Sequence, residues 1–277
     1  MAPQLQKTAL IAAVSSDIGR ALADLYLREG WQVIGTHRSA TPPAELTGRD
    51  DVTLIPCDLS RDEDLAQAHA VLKRTGRTWD LFISAVGQLD PIGDFLDCDR
   101  QAWLESVAVN GARQLGLLHA MAPLRRAAPL AQVAFLVGGA ISRAFPAYSA
   151  YSLGKVQLVK FCELLHDEAP DIHAVAVGTG WVATRIHAQT LAAGDRAGDN
   201  LDRTRDFLSR QDTGTPMEDI KATLDWCFAQ PRDVTGGRNI SVVHDPWRNG
   251  GDALARALSA SPEAFRLRRA AAGDLTP

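Results

Sequence analysis

Tyr151 and Lys155 stand four residues apart in the run Tyr151-Ser152-Leu153-Gly154-Lys155, a spacing that puts a phenol and an ammonium on one face of a helix. A phenol ordinarily ionises near pH ~10, and a fixed cation beside it eases loss of the proton. Such a pair is a proton donor of adjustable strength, the group that reduction of a carbonyl needs at its oxygen. The same spacing arises by accident in helix-rich chains, where an exposed lysine simply sits beside a half-buried tyrosine. Its surroundings therefore decide its meaning.

Those two residues need a frame. Short apolar, β-branched runs at residues 8–14, 32–37, 52–57, 81–86, 132–137, 173–177 and 239–243 alternate with segments of helical period near residues 18–29, 62–74, 100–107, 112–126, 149–168 and 216–230. The alternation predicts βαβ units and an α/β, doubly wound Rossmann-type fold: a seven-stranded parallel sheet with helices on both faces. Its ligand crevice lies outside the carboxyl ends of the strands, where every motif below falls.

The net charge is −4 and the pI about 6.0, so no basic stripe argues for nucleic acid or an anionic membrane, and a small-molecule partner is expected. Cys57, Cys98, Cys162 and Cys227 form no CxxC pair, and the histidines at 69, 119, 166, 173 and 187 show no HxxEH or HxH arrangement. The expectation is no metal, no disulfide framework, and reduced thiols in a cytoplasmic protein. The run at 8–14 is too short for a membrane span and leads into a polar turn, as a strand does and a signal peptide does not. With no repeat or linker, residues 1–243 are expected to form a single Rossmann-type domain. Residues 184–215, polar and carrying Gly194, Gly198 and Gly214, suit a substrate flap inserted in it; the tail 244–277, with Arg266-Leu267-Arg268-Arg269, reads equally as a docking helix or a frayed end.

The first strand ends in Ala12-Ala13-Val14-Ser15-Ser16-Asp17-Ile18-Gly19-Arg20, and here the chain resembles the short-chain dehydrogenase/reductase family. That family usually has Thr-Gly-x-x-x-Gly-x-Gly at this turn, where backbone and a helix N-terminus receive a diphosphate. The resemblance makes Ser15, Ser16, Ile18 and Gly19 cofactor-binding. Only Gly19 of the three glycines is kept. Ala13 adds a methyl group, and Asp17 brings a carboxylate that either repels the diphosphate or caps the helix. After the second strand, Gly35-Thr36-His37-Arg38-Ser39 offers no carboxylate to the hydroxyls of an NAD ribose. The basic pair His37 and Arg38 suits a 2′-phosphate, so NADP(H) is favoured over NAD(H).

Further matches follow in the family's order. Asp58 and Leu59 stand where its acidic residue contacts the adenine; Ser84-Ala85-Val86-Gly87 occupies the Asn-Asn-Ala-Gly position, which places Val86 and Gly87 on the cofactor. Loss of both asparagines is expected to leave this end of the sheet to packing. Asn110, in Val107-Ala108-Val109-Asn110-Gly111, matches the asparagine that helps hold a water connected to the lysine; a plain helix break at Asn110-Gly111 is the other reading. Gly180, Val182 and Thr184 fall in Gly178-Thr179-Gly180-Trp181-Val182-Ala183-Thr184, similar to the family's Pro-Gly-x-x-x-Thr over the nicotinamide, and residues 233–243 look like its ending, Thr-Gly-x-x-Ile before the last strand. The main departure is Gly138, which stands where the family has the serine that orients the substrate carbonyl. Ser142 lies several residues too late to replace it unless the loop is rearranged; a backbone N–H of Gly138-Gly139 or the substrate's own hydrogen bond is the alternative. Tyr148 either lines the pocket or packs, Trp181 is a candidate pocket wall, and Trp31, Trp79 and Trp103 read as core.

The resemblance implies a short-chain NADP(H)-dependent carbonyl reductase or alcohol dehydrogenase for a small or cyclic ketone or alcohol, in a fairly apolar pocket. Tyr151, Lys155 and Asn110 would be catalytic, Tyr151 and Lys155 also touching the cofactor, with Lys155 lowering the phenol's pKa. A homodimer or homotetramer would pair the helices near 112–126 and 149–168. Two other readings stay open: an NADP-binding sensor or accessory protein with little turnover, and a non-redox dehydratase or isomerase on the same scaffold.

Overall fold

The computed structural model describes residues 6–210 and 214–269. Seven strands, β1 (Thr8–Ala12), β2 (Gln32–His37), β3 (Val52–Pro56), β4 (Leu81–Ser84), β5 (Ala131–Val137), β6 (Ile172–Gly178) and β7 (Asn239–Ser241), form one sheet. Every ladder is parallel, in the order β3-β2-β1-β4-β5-β6-β7. This is the expected Rossmann-type arrangement. The order reverses between β1 and β4, and there the crevice opens. Four strands stop short of their apolar runs, at Ala12, Pro56, Ser84 and Ser241. Beyond Ala12 the chain turns toward the next helix while Val14 stays buried and donates to Thr36 O at 2.8 Å, so the extra apolar residue marks a buried turn.

Alternation along each strand builds two cores. Ala9, Ile11, Leu81, Ile83, Ala134 and Leu136 face α1 (Asp17–Arg28) and, further along the chain, α8 (Met217–Ala229). Leu10, Ala12, Phe82, Val133 and Phe135 face α2 (Asp62–Thr75), α4 (Ala112–Met121) and α5 (Ser149–Glu168). Both faces being covered explains why the strands read as continuous apolar runs. The helix α3 (Arg100–Asn110) is separated from α4 by Gly111 at φ −131°, ψ −97°, so Asn110 does end a helix. The expected helix 112–126 closes at Met121, where Ala122–Leu124 tightens into a 3-10 turn containing Pro123. α3 crosses α5 closely: a methyl on Gly154 would lie 2.5 Å from Asn110 Cβ and 2.9 Å from its carbonyl carbon.

Residues 184–210 are mostly helical, with α6 (His187–Ala193), a 3-10 turn at Gly194–Ala197 and α7 (Asn200–Ser209). Ala193, Ala197 and Leu201 pack on Leu89, Ile92 and Tyr148. The buried residues of this segment include Thr190, Asn200 and Thr204, which is why its composition reads as a loop. The tail docks, settling its two readings through residue 269: after α9 (Arg232–Thr235) and β7, Leu254 and Leu258 of α10 (Gly251–Ala260) enter the α1-side core. Arg238, 1% exposed, donates to the carbonyl of Leu258 in the last turn of α10 and to those of Ser261 and Ala264 beyond it. Asn239 N–H donates to Phe265 O at 2.9 Å, and Arg268 pairs with Glu163 of α5. Among the described residues no helix is long and apolar enough to cross a membrane.

Candidate active site

The turn after β1 sets the phosphate end of the crevice. Ala13 takes the left-handed conformation, φ 59°, at a cost of about 1–2 kcal/mol that glycine would not bear. Ser16 caps α1, its Oγ accepting Gly19 N–H at 3.0 Å, so the cap is Ser16 and not Asp17. Gly19 is required because a Cβ there would lie 2.3 Å from Ala13 O. Asp17 is neutralised: its carboxylate accepts from Arg20 Nη2 and Arg185 Nε, each at 2.8 Å. Although burial opposes it, hydrogen bonding to Arg185 and its charge hold this carboxyl below the usual range.

Behind the turn lies a side-chain network that the sequence did not disclose. Ser84 Oγ donates to Gln114 Oε1 at 2.6 Å, and Gln114 Nε2 donates to Asn110 O at 2.9 Å. The hydrogen bonds expected to vanish with the two asparagines are thus remade through Gln114. Asn110, fully buried, clamps the β4 exit: Nδ2 donates to Gln88 O at 2.8 Å while Oδ1 accepts Gln88 N–H at 3.1 Å.

On α5, Lys155 is buried and donates from Nζ to Val86 O at 2.6 Å and Leu136 O at 2.9 Å, spanning the exits of β4 and β5. It lies 5.8 Å from the centre of the Tyr151 ring. Burial dominates both groups, pushing the ammonium down to about 7 and the phenol up to about 12. The expected lowering of the tyrosine is not seen: desolvation raises the phenol. The Tyr151 hydroxyl has no protein partner among the described residues. It sits against Gly138, where a Cβ would approach Tyr151 Oη to 2.6 Å: the phenol occupies the space a serine's Cβ would take. Ser142 is exposed and off the cleft wall, so it supplies no replacement.

Lys155 should leave a signature in stability. Its folded pKa, about 7, lies below the ordinary 10.5, so between these values the unfolded chain binds more protons and stability rises with pH. Tyr151 works in the opposite sense only above pH 10, since its folded value is raised from 10.0 to about 12. We expect Tm to climb between about pH 7 and 9.5, and Lys155→Met to remove a lysine-sized part of that rise. Parallel Tm profiles for the two proteins would contradict the assignment.

The cleft encloses about 830 Å³. Of the residues expected on a cofactor, Ser15, Ser16, Ile18, His37, Arg38, Asp58, Leu59, Val86, Gly87, Tyr151, Lys155 and Thr184 line it. Gly19 lies beneath the turn, Asn110 behind the wall, and Gly180 against Val243 and Thr215; Val182 is buried and bridges to Gly214. None of these four forms the cleft surface. His37 Nδ1 lies 2.9 Å from Ser39 O, whereas Arg38 makes no ion pair among the described residues. Tyr148 packs, fully buried, with its hydroxyl 2.9 Å from Thr190 Oγ1. Trp181 stacks on His187 outside the cleft, and of the other tryptophans Trp79 is buried while Trp31 and Trp103 are half-buried. Gln88, Asp90, Glu105 and Gln189 also line the cleft, together with Arg185. Sequence reasoning gave these no role, because no local spacing connects them.

A doubly wound parallel sheet whose switch-point cleft carries a helix-borne Tyr-x-x-x-Lys defines an oxidoreductase of the nucleotide-dependent kind. The family model described as Enoyl-(Acyl carrier protein) reductase matches residues 12–232, and the chain belongs to the short-chain dehydrogenase/reductase family. It is 29% identical over 188 residues to an uncharacterized oxidoreductase of Schizosaccharomyces pombe, covering 66% of this chain and 74% of that one. It is also 29% identical over 188 residues to the short-chain dehydrogenase PC-15 of Penicillium crustosum, covering 65% and 68%. A Saccharomyces cerevisiae short-chain dehydrogenase/reductase has a similar fold, with TM-score 0.76 at 22% identity over 90% of this chain and 98% of that one. So does a short-chain dehydrogenase of Shigella flexneri complexed with NADP, with TM-score 0.69 at 19% identity over 85% and 96%.

Proposed function

We propose that the protein is an NADP(H)-dependent carbonyl reductase, or in reverse an alcohol dehydrogenase, acting on a small or cyclic ketone or alcohol. The observation that carries this reading is one cleft lined by Tyr151, Lys155 and Arg38, with the Tyr151 hydroxyl and the Arg38 guanidinium unpartnered among the described residues. The residues fit a phosphorylated dinucleotide: a capped helix N-terminus and serines for the diphosphate, and Arg38 for a 2′-phosphate. Bound NADPH supplies the hydride to the carbonyl carbon. Tyr151 Oη gives its proton to the carbonyl oxygen as the carbon–oxygen double bond becomes a single bond. A phenol held at about 12 is protonated at neutral pH, the state in which it can donate to a carbonyl oxygen. Lys155 Nζ, bonded to two carbonyl oxygens, is placed to hold ribose hydroxyls with its remaining N–H and to pass a proton back to the phenol. Asn110 fixes the loop that carries Val86 and Gly87, and the free lone pair of its carbonyl is the seat for a relay water.

Gln88, Asp90, Glu105 and Gln189 bring amides and carboxylates to the cleft, so the substrate class extends to carbonyl compounds that bear hydrogen-bonding groups. Leu153 and Leu164 on α5 are 48% and 44% exposed, which suits burial against a second copy in a homodimer or homotetramer. Free thiols at Cys57, Cys98, Cys162 and Cys227 suit the cytoplasm.

Titration with NADPH and NADH, followed by nicotinamide fluorescence and thermal shift, tests the cofactor assignment. NADPH should bind the more tightly, and Arg38→Ala should weaken NADPH by about tenfold or more while leaving NADH unchanged, since one charge-assisted phosphate contact contributes about 1.5–3 kcal/mol. Equal loss for both nucleotides would refute the 2′-phosphate role. Nicotinamide oxidation with a panel of ketones then separates a reductase from a binder that turns nothing over and from a non-redox enzyme.

A further inference from the structure

Asp17 stands at the first position of α1, where helix N–H groups and the positive dipole end would receive a diphosphate. It is fastened to the flap by a residue 168 positions away. Arg185 N–H donates to Asp17 Oδ2 at 2.6 Å, Arg185 Nε donates to Asp17 Oδ1 at 2.8 Å, and Arg185 Nη2 donates to Ser15 O at 2.8 Å. The guanidinium therefore lies across the turn itself. Its side chain is 69% exposed, against 18% for Asp17, so polar contacts and not packing hold it there. Asp17 keeps a second cation, Arg20 at 2.8 Å, and that detail matters: Arg185 can leave without stranding a charged carboxylate.

We infer that Asp17 and Arg185 form an exchangeable latch over the phosphate turn. The diphosphate of an arriving dinucleotide takes the guanidinium from Asp17, which falls back on Arg20. Arg185 thereby becomes a phosphate-binding residue of the flap. The exchange is favourable in charge, because a planar guanidinium passes from one carboxylate to a group of higher negative charge with matching oxygen geometry. Asp17 opposes binding twice, by holding Arg185 and by repelling the diphosphate, and so sets how much nucleotide is needed to move the flap. Thr184, Arg185 and Ile186 all line the cleft, so the same exchange couples nucleotide arrival to the wall of the substrate site. This inference rests on the nucleotide reading above.

Calorimetric titration of the full chain with NADPH and with adenosine 2′-monophosphate, which carries no 5′-phosphate, separates the two. Asp17→Asn should bind NADPH about tenfold more tightly and Arg185→Ala about tenfold more weakly, with the 2′-monophosphate unchanged in both. Losing Arg185 should cost more in the Asp17→Asn background than in the wild type, because the competitor is gone. Unchanged NADPH affinity in Arg185→Ala, weaker binding in Asp17→Asn, or strict additivity overturns the latch while leaving the nucleotide assignment standing. Wild-type protein that binds the 2′-monophosphate but not NADPH, with Asp17→Asn rescuing NADPH, supports a latch that is tightly shut. Failure of every variant with both probes overturns the latch and the nucleotide reading together.

Discussion

Tyr151→Phe is expected to lower kcat by about 10²–10⁴-fold, the range that a positioned general acid contributes. NADPH affinity should move little, because the ring keeps its shape and its place beside Lys155. The phenol is suited to its task in two ways. Its hydroxyl has no partner among the described residues, so nothing must be broken before a substrate oxygen arrives. Burial also holds its pKa at about 12, so the proton is present until something at the oxygen needs it. Stopped-flow measurement of nicotinamide oxidation, with binding titrated separately, reads the two effects apart. Turnover within a few-fold of wild type would move the acid elsewhere, to a bound water or a substrate group.

Restoring the family's serine should not restore anything. Gly138→Ser is expected to lower kcat by about 10- to 100-fold, and Gly138→Ala by a similar factor, since a displacement near 1 Å at a reacting group costs on that order. The cause is common to both variants: a Cβ at this position would approach Tyr151 Oη to 2.6 Å. The phenol must swing away from the β5 exit, and a new hydroxyl arrives only by moving the acid it is meant to assist. Steady-state kinetics on both variants, with Tm and NADPH binding as controls for folding, make the comparison. A gain in kcat for the serine variant alone would show that the missing hydroxyl limits the reaction.

The parts of this molecule that were legible in sequence are those fixed by local pattern. Strands buried on both faces show as unbroken apolar runs, and Tyr-x-x-x-Lys is a helical spacing that survives any detail of packing. A helix break at Asn110-Gly111 was the second of two readings of that pair, and the structure adds why it is tolerated: the asparagine spends its side chain on Gln88. What was not legible depends on partners far apart in the chain. Gln114 replaces lost asparagines from 30 residues beyond Ser84, and nothing in the spacing of either residue says so. Asp17 read as a hazard to a diphosphate because Arg185, its main counter-charge, lies on the other side of the fold. The Lys155–Tyr151 electrostatics were misjudged for a related reason: proximity is written in the spacing, but desolvation is a property of the packed whole.

The hydrogen bond from Asn239 N–H to Phe265 O reaches beyond the tail it fastens. β7 is the last strand in the sheet order, and a terminal strand with open N–H and C=O groups is a template on which another chain can add itself. Here the protein's own tail lies along that border and uses one of those groups. Clipping the chain before Arg238's carbonyl partners in residues 258–264 would uncover both a charged guanidinium and a sticky sheet margin. Residues 258–265 thus act as a guard against intermolecular β-sheet growth, and forms truncated before them should be recognised by their tendency to precipitate.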